Sequence, residues 1–208
     1  MQLDRPLRTV TSSIDAEILG LLASVDYVFS ARKVHLLLGE HSESGVRKAL
    51  DRLVEQGTVS MQRGGQAKLY KLNRDHLAAP YVIGLAHMKD QLVGLLRERL
   101  AQWSPRPTTA ALFGSAARGA MRPDSDIDIF IVRPDAVDAD EDPWRTQVAL
   151  LEQDVATWTG NDVRVLELSE SETVTSGIRD GSVVAEIRAS GIVVHGELPR
   201  GRQRTRRG

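Results

Sequence analysis

Over the first hundred residues, apolar positions recur at helical spacing, with one interruption. Between residues 14 and 25, Ile14, Ile18, Leu21 and Leu22 share one helical face, and Ser13 can cap the start. Ala31 to Leu38 reads as a second, short helix closed by Gly39. "HSESGVRKALDRLVEQG" predicts a third: Ser42 caps it, Val46, Leu50, Leu53 and Val54 form its apolar stripe, and Gly57 ends it. In "TVSMQRGGQAKLYKL" the period changes, and two short β-prone runs flank Gly64-Gly65, a hairpin signal. Helical spacing then returns over residues 74–103. Leu85, Met88, Leu92, Leu95 and Leu96 lie on one face and Pro80 in the first turn, predicting a long connecting helix. "SPRP" at 104–107 stops it.

Beyond that break, strands and helices alternate. "TTAALF" (108–113) predicts a buried strand, and Ala116 to Ala120 the start of a helix. In "SDIDIFIV" (125–132), Ile127, Ile129 and Ile131 face a core, while Asp126 and Asp128 share the other face. A helix from Trp144 to Trp158, a strand in "NDVRVLEL", helices at Ser169–Asp180 and Val183–Ala189 and a final strand in "GIVVHG" complete the pattern. The expected organisation is a helical domain with a hairpin (1–75), a linking helix (76–104), an α/β domain with a short mixed sheet (105–198) and a disordered basic tail (199–208).

Composition narrows the class. Of 208 residues 41% are hydrophobic, enough for packed cores, and none is cysteine, which removes disulfides and thiolate metal sites. No apolar run approaches the roughly 18 residues of a membrane span. The expectation is a soluble, cytoplasmic protein without a membrane partner. Charge is uneven: +3 over residues 1–103, −9 over 104–199 and +5 over 200–208. Different parts of the chain should therefore meet different partners.

The chemistry concentrates in "LFGSAARGAMRPDSDIDIFIV". A strand that turns through Gly114-Ser115 into a helix start offers free N–H groups and the positive end of a helix dipole to an anion. Gly114 allows close backbone approach and Ser115 adds a hydroxyl. This is not a Walker loop, whose closing Lys-Ser/Thr is absent. Asp126 and Asp128 stand in an otherwise apolar strand, where unpaired carboxylates are costly. With no Cys or His pair nearby, the hard oxygen pair favours Mg2+ or Mn2+. Phosphate and metal would then meet in one cleft.

Two separate segments of the chain each resemble a known family. G-S-x-A-x-G, a spacer and S-D-I-D-I, closely matched from Leu112 to Val132 and loosely to about Leu168, resemble the nucleotidyltransferase superfamily that includes DNA polymerase beta, in its minimal, kanamycin-nucleotidyltransferase-like branch. The resemblance implies transfer of a nucleotidyl group from a nucleoside triphosphate to an acceptor, a protein or RNA among the expectations, with release of pyrophosphate. Gly114 and Ser115 match the phosphate-gripping positions, and Asp126 and Asp128 the metal pair. Arg118 matches a basic position that serves phosphate or a local salt bridge. The family's third carboxylate should stand on "NDVRVLEL", where the slot holds Arg164. Asp162, of the same strand parity, could substitute as a catalytic ligand; Glu167 has the opposite parity. Otherwise Arg164 contacts phosphate or pairs with Asp126 or Asp128.

Residues from about Ile14 to Leu72 resemble bacterial winged helix-turn-helix regulators, which implies double-stranded DNA as a partner and is compatible with a homodimer. Ser44, Arg47 and Lys48, with Asp51 beside them, lie off the apolar stripe of the third helix, and Arg63 and Lys68 flank the hairpin tip where a wing touches phosphate. Residues 30–75 carry nine Lys and Arg against five Asp and Glu, a modest excess, and such domains also dock proteins. A regulator whose degenerate transferase domain senses nucleotide or docks a partner is the alternative function.

Overall fold

The computed structural model of the chain describes residues 1–176 and 182–198. It resolves into two compact units, Gln2–Lys89 and the chain from Asp90 onward together with Met1. The chain is mixed α/β with two small sheets.

In the first unit α1 (Ile14–Ser24), α2 (Ala31–Leu38) and α3 (Glu43–Glu55) each start on a serine. The hydroxyls of Ser13, Ser30 and Ser42 accept from the N–H groups of Ala16, Lys33 and Gly45, which satisfies an otherwise orphaned donor in each first turn. The apolar stripes meet in one core of Ile18, Leu22, Val34, Val46, Leu50 and Leu53. Val59, Tyr70 and Leu72 of the sheet close it. That sheet holds β1 (Phe29–Ser30), β2 (Val59–Gly64) and β3 (Ala67–Leu72) in the order β1-β3-β2, all antiparallel. The hairpin turns one residue later than the sequence predicts. Gly64 pairs with Ala67 inside the ladder, where a Cβ would stand 2.6 Å from Leu69 Cδ1, and Gly65 takes the left-handed turn position at φ +63°.

The long connecting helix expected over 74–103 is two helices, α4 (Ala79–Ala86) and α5 (Met88–Ala101). Between them His87 leaves helical geometry at φ −100°, ψ 20°. The two stretches follow different burial patterns. Ala79, Val82, Ile83 and Ala86 join the core of the first unit, whereas α5 buries Leu92, Val93, Leu96 and Leu100. Leu95, expected on the apolar face, is 38% exposed.

The second unit holds β4 (Thr109–Phe113), α6 (Gly114–Arg118), β5 (Ile127–Arg133), α7 (Trp144–Thr159), β6 (Val163–Ser169), α8 (Glu170–Ser176), α9 (Val183–Ser190) and β7 (Ile192–Gly196). The sheet order is β6-β5-β4-β7, with β5 and β6 parallel and the other pairs antiparallel. A parallel pair needs a crossover, and α7 supplies it. Its Trp144, Leu151 and Val155 are buried, with Trp144 edge-on to Trp103. The helix expected to reach Ala120 stops at Arg118, where Gly119 takes φ +68°. The expected helix residues 177–180 and the basic tail 199–208 lie outside the described residues.

β5 is covered on both faces. Ile127, Ile129 and Ile131 are fully buried on one. Phe130 and Val132, on the face that carries Asp128, pack with Ala111 of β4 and Ile187 of α9. The carboxylate face is thus polar only where the strand begins, and apolar beyond.

Candidate functional site

Strand pairing brings the glycine turn to the carboxylates. Phe113, the last residue of β4, is the ladder partner of Asp128 on β5. Gly114 follows at φ +66°, a region that favours glycine. A Cβ on Gly114 would overlap Asp128 Oδ2 and stand 3.0 Å from its Cγ. Conformation and space therefore both require glycine here. The chain enters α6 at once. Its N-cap, Phe113, has no side-chain capping bond, so the first N–H groups of α6 lack the serine caps that close α1 to α3. The Ser115 carbonyl accepts from Ala120 at 3.0 Å and holds the short helix closed.

Asp128 is half-buried, and its carboxyl is pushed up from the ordinary value. Burial is the main cause and repulsion by Asp126 adds to it; the positive charges of Arg164 and Arg118 partly offset both. Among the described residues the Asp128 carboxylate has no hydrogen bond or ion pair. Asp126 does have a partner. Arg164 Nη2 lies 2.8 Å from Asp126 Oδ2, with side-chain exposures of 75% for Arg164 and 21% for Asp126. The ladder sets Arg164 of β6 opposite Asp128, and its guanidinium reaches back one pleat to Asp126.

The other expected residues are placed as follows. The Asp162 backbone carbonyl accepts from Ile127 N–H at 2.8 Å, and the residue is exposed. Glu167 receives a hydrogen bond from Arg133 Nε at 2.6 Å. Arg118 pairs with Glu186 of α9. No group of three or more His, Asp or Glu able to hold one metal ion occurs among the described residues. The oxygen donors at the strand start are therefore the pair Asp126 and Asp128. That set suits a hard divalent ion, which commonly takes one or two carboxylates and fills its shell with water and phosphate. The unpaired, half-buried Asp128 is the feature that fits such an ion.

Sequence reasoning missed Asn161. Its buried amide donates to the Ser125 carbonyl at 2.8 Å, and its backbone N–H donates to Thr159 Oγ1 at 3.2 Å. Ser125 Oγ in turn accepts from Arg122 N–H at 2.8 Å. This chain of bonds fixes the loop that delivers Asp126. An Asn just before a strand was visible in the sequence; its long-range partner was not.

In the first unit Ser44, Arg47, Lys48, Arg63 and Lys68 are all exposed. Ser44 Oγ is 3.3 Å from Ser42 Oγ. Arg47 pairs with Glu43 at 2.6 Å, and Lys68 stands 3.6 Å from Asp51. Lys48 and Arg63 have no such partner among the described residues. A groove between α3 and the hairpin is lined by Arg32, Arg47, Asp51, Lys68 and Tyr70. A separate cavity of about 220 Å³, lined by Arg5, Arg8, Glu17 and Leu21 among others, lies in the same unit.

A search of curated proteins finds no significant match. Among solved structures, one described as a toxin–antitoxin with AMP-PNP aligns at 24% identity and TM-score 0.35, over 52% of this chain and 73% of that one. A toxin–antitoxin MntA-HpeT mutant aligns at 22% identity and TM-score 0.35 over the same shares. A structure concerning the DNA recognition and protein interaction domains of HOP2 aligns at 26% identity and TM-score 0.29, over 29% of this chain and 100% of that one. Residues 93–180, which contain the glycine turn, both aspartates, Asp162 and Arg164, match the family model for a nucleotidyltransferase domain.

Proposed function

We propose that this protein transfers a nucleotidyl group from a nucleoside triphosphate to an acceptor, and that its first unit is a winged helix that holds double-stranded DNA. The observation that supports the transferase reading best is the contact of Gly114 with Asp128. It sets an uncapped helix start, suited to phosphate, directly against a carboxylate suited to a cation. In this reading the α6 N–H groups and the Ser115 hydroxyl grip the triphosphate, and Arg118 leaves Glu186 to assist. Asp126 and Asp128 would hold Mg2+ or Mn2+, which would supply charge neutralisation at the phosphates. An acceptor hydroxyl oxygen attacks that phosphorus in line, its bond to pyrophosphate breaks, and the hydroxyl proton passes to Asp162 or to water.

The test is labelling from each α-labelled nucleoside triphosphate with Mg2+ or Mn2+, in the presence of protein and RNA acceptors. Wild type should label an acceptor and an Asp126→Ala/Asp128→Ala variant should not. Identical behaviour of the two removes the reading. Of the basic residues expected to meet DNA, Lys48 and Arg63 have no ion pair among the described residues. Lys48→Ala/Arg63→Ala should weaken duplex binding. The slope of log affinity against log salt should also become shallower, by roughly 0.9 for each phosphate no longer neutralised.

The Arg164–Asp126 pair favours a second reading, in which the domain senses nucleotide and regulates DNA binding without transfer. Salt-titrated DNA binding with and without nucleotide separates the two. Duplex affinity indifferent to nucleotide, beside successful acceptor labelling, would leave only the transferase.

A further inference from the structure

We infer that Arg164 is a built-in cation of the site, taking the place of a second divalent ion, so that Asp126 and Asp128 hold one ion and the guanidinium meets the nucleotide's phosphates directly. This deepens the transferase reading and rests on it.

Charge and register carry the argument. Arg164 is the ladder partner of Asp128 and bonds Asp126 at 2.8 Å, so it stands beside both carboxylates. Two carboxylates and one guanidinium sum to one negative charge. One divalent ion reverses that sign, giving a positive site that suits a triphosphate. A second ion would have to sit beside a fixed guanidinium with no further carboxylate to hold it. Glu167 is engaged by Arg133, and neither the exposed Asp162 nor any other acidic or imidazole group forms a three-ligand set with the pair among the described residues.

The guanidinium is also suited to the phosphate role. Its Nη2 rests on Asp126, the more buried partner, while its own side chain is 75% exposed. A guanidinium carries five donors in a rigid fork, so contact with one carboxylate oxygen leaves others for phosphate oxygens. Asp126 thereby aims Arg164 as well as binding the ion. Arg164 is in this sense a phosphate-binding residue, held in place by its pair with Asp126.

The experiment counts Mn2+ bound per chain by equilibrium dialysis with saturating α,β-methylene-ATP on both sides, so that the ion chelated by free nucleotide cancels. Nucleotide affinity is measured in parallel by calorimetry. The full chain is compared with Arg164→Asp, Arg164→Ala and Asp128→Ala. Wild type should bind one Mn2+ and Arg164→Asp two. Arg164→Ala should keep one ion but bind the nucleotide at least tenfold more weakly, and Asp128→Ala should bind none. Arg164 is exposed, so its replacements should stay folded, which circular dichroism checks. Two ions in wild type, or nucleotide affinity unchanged in Arg164→Ala, would overturn the inference while leaving the transferase reading standing. No ion in wild type would remove both.

Discussion

Glu17 in the first unit and Asp128 in the second are both carboxylates withdrawn from water, and their surroundings differ in kind. The Glu17 side chain is only 4% exposed. It receives a hydrogen bond from Arg8 Nη2 at 2.7 Å, lies 3.6 Å from Arg5 Nη1 and 3.1 Å from His41 Nε2. Glu40 forms ion pairs with both arginines from the other side, each at 2.8 Å. Charge in that cluster is matched locally, as a buried carboxylate requires. Asp128 is half-buried beside a second carboxylate, and Arg164 bonds Asp126 in preference to it. One arrangement is complete without a ligand. The other holds an unmet demand for positive charge, as expected of a functional site, where local stability is given up for binding.

The largest effect should come from Gly114→Ala. A left-handed backbone costs a non-glycine residue about 1–2 kcal/mol, and the added methyl must also displace Asp128. Calorimetric titration of Mg2+ and nucleoside triphosphates should show affinity reduced at least about tenfold, the equivalent of roughly 1.4 kcal/mol. Undiminished affinity would mean that the contact between Gly114 and Asp128 is only packing.

The comparison sharpens when each carboxylate is made neutral at constant shape. Glu17→Gln strips the charge from a matched cluster and leaves two guanidinium groups partly uncompensated. It should cost about 2 kcal/mol, lowering Tm by about 4–8 °C. Asp128→Asn removes an unmatched charge. Its Tm should hold or rise, while metal-dependent nucleotide binding disappears. Scanning calorimetry of both variants decides the matter. Equal losses of Tm would place Asp128 with the structural carboxylates.

Much of this was legible in the sequence, for identifiable reasons. Ser13 and Ser42 as caps follow from local chemistry, as do Val46 and Leu50 as core and Gly114 with the Asp126–Asp128 pair. What escaped depends on partners distant in sequence. The break at His87 reflects two cores that claim α4 and α5 separately, and a single periodic stripe does not reveal that. Asn161 holding Ser125 and Arg118 pairing with Glu186 need the folded sheet and α9. The alternation of "SDIDIFIV" separates Ile127, Ile129 and Ile131 from Asp126 and Asp128, but it does not reveal that Phe130 and Val132, on the aspartates' face, are covered by Ile187 of α9. Arg164 was recognisable as a departure from the family pattern. Which aspartate it would choose was not, because Asp126 and Asp128 share strand parity and the side chain pairs with Asp126 although the ladder sets it opposite Asp128.

The smallest predicted effect is one of pH, and its sign differs between the two regions. The arginines Arg5 and Arg8 hold the Glu40 carboxyl down at about 2, from an ordinary 4.5. A depressed carboxyl stabilises the fold above its unfolded value and loses that contribution as pH falls through the folded one. Urea midpoints should therefore decline more steeply between pH 4.5 and 2 in wild type than in Glu40→Gln. Glu40 is exposed, so the difference should be slight and should shrink in high salt. Asp128 runs the other way. Its raised carboxyl favours the fold while protonated, and that advantage is lost as pH rises past the ordinary carboxylate range. Asp128→Asn should accordingly gain on wild type toward neutral pH, where Glu40→Gln falls furthest behind. Parallel pH profiles for the two variants would erase the distinction between a matched and an unmatched carboxylate.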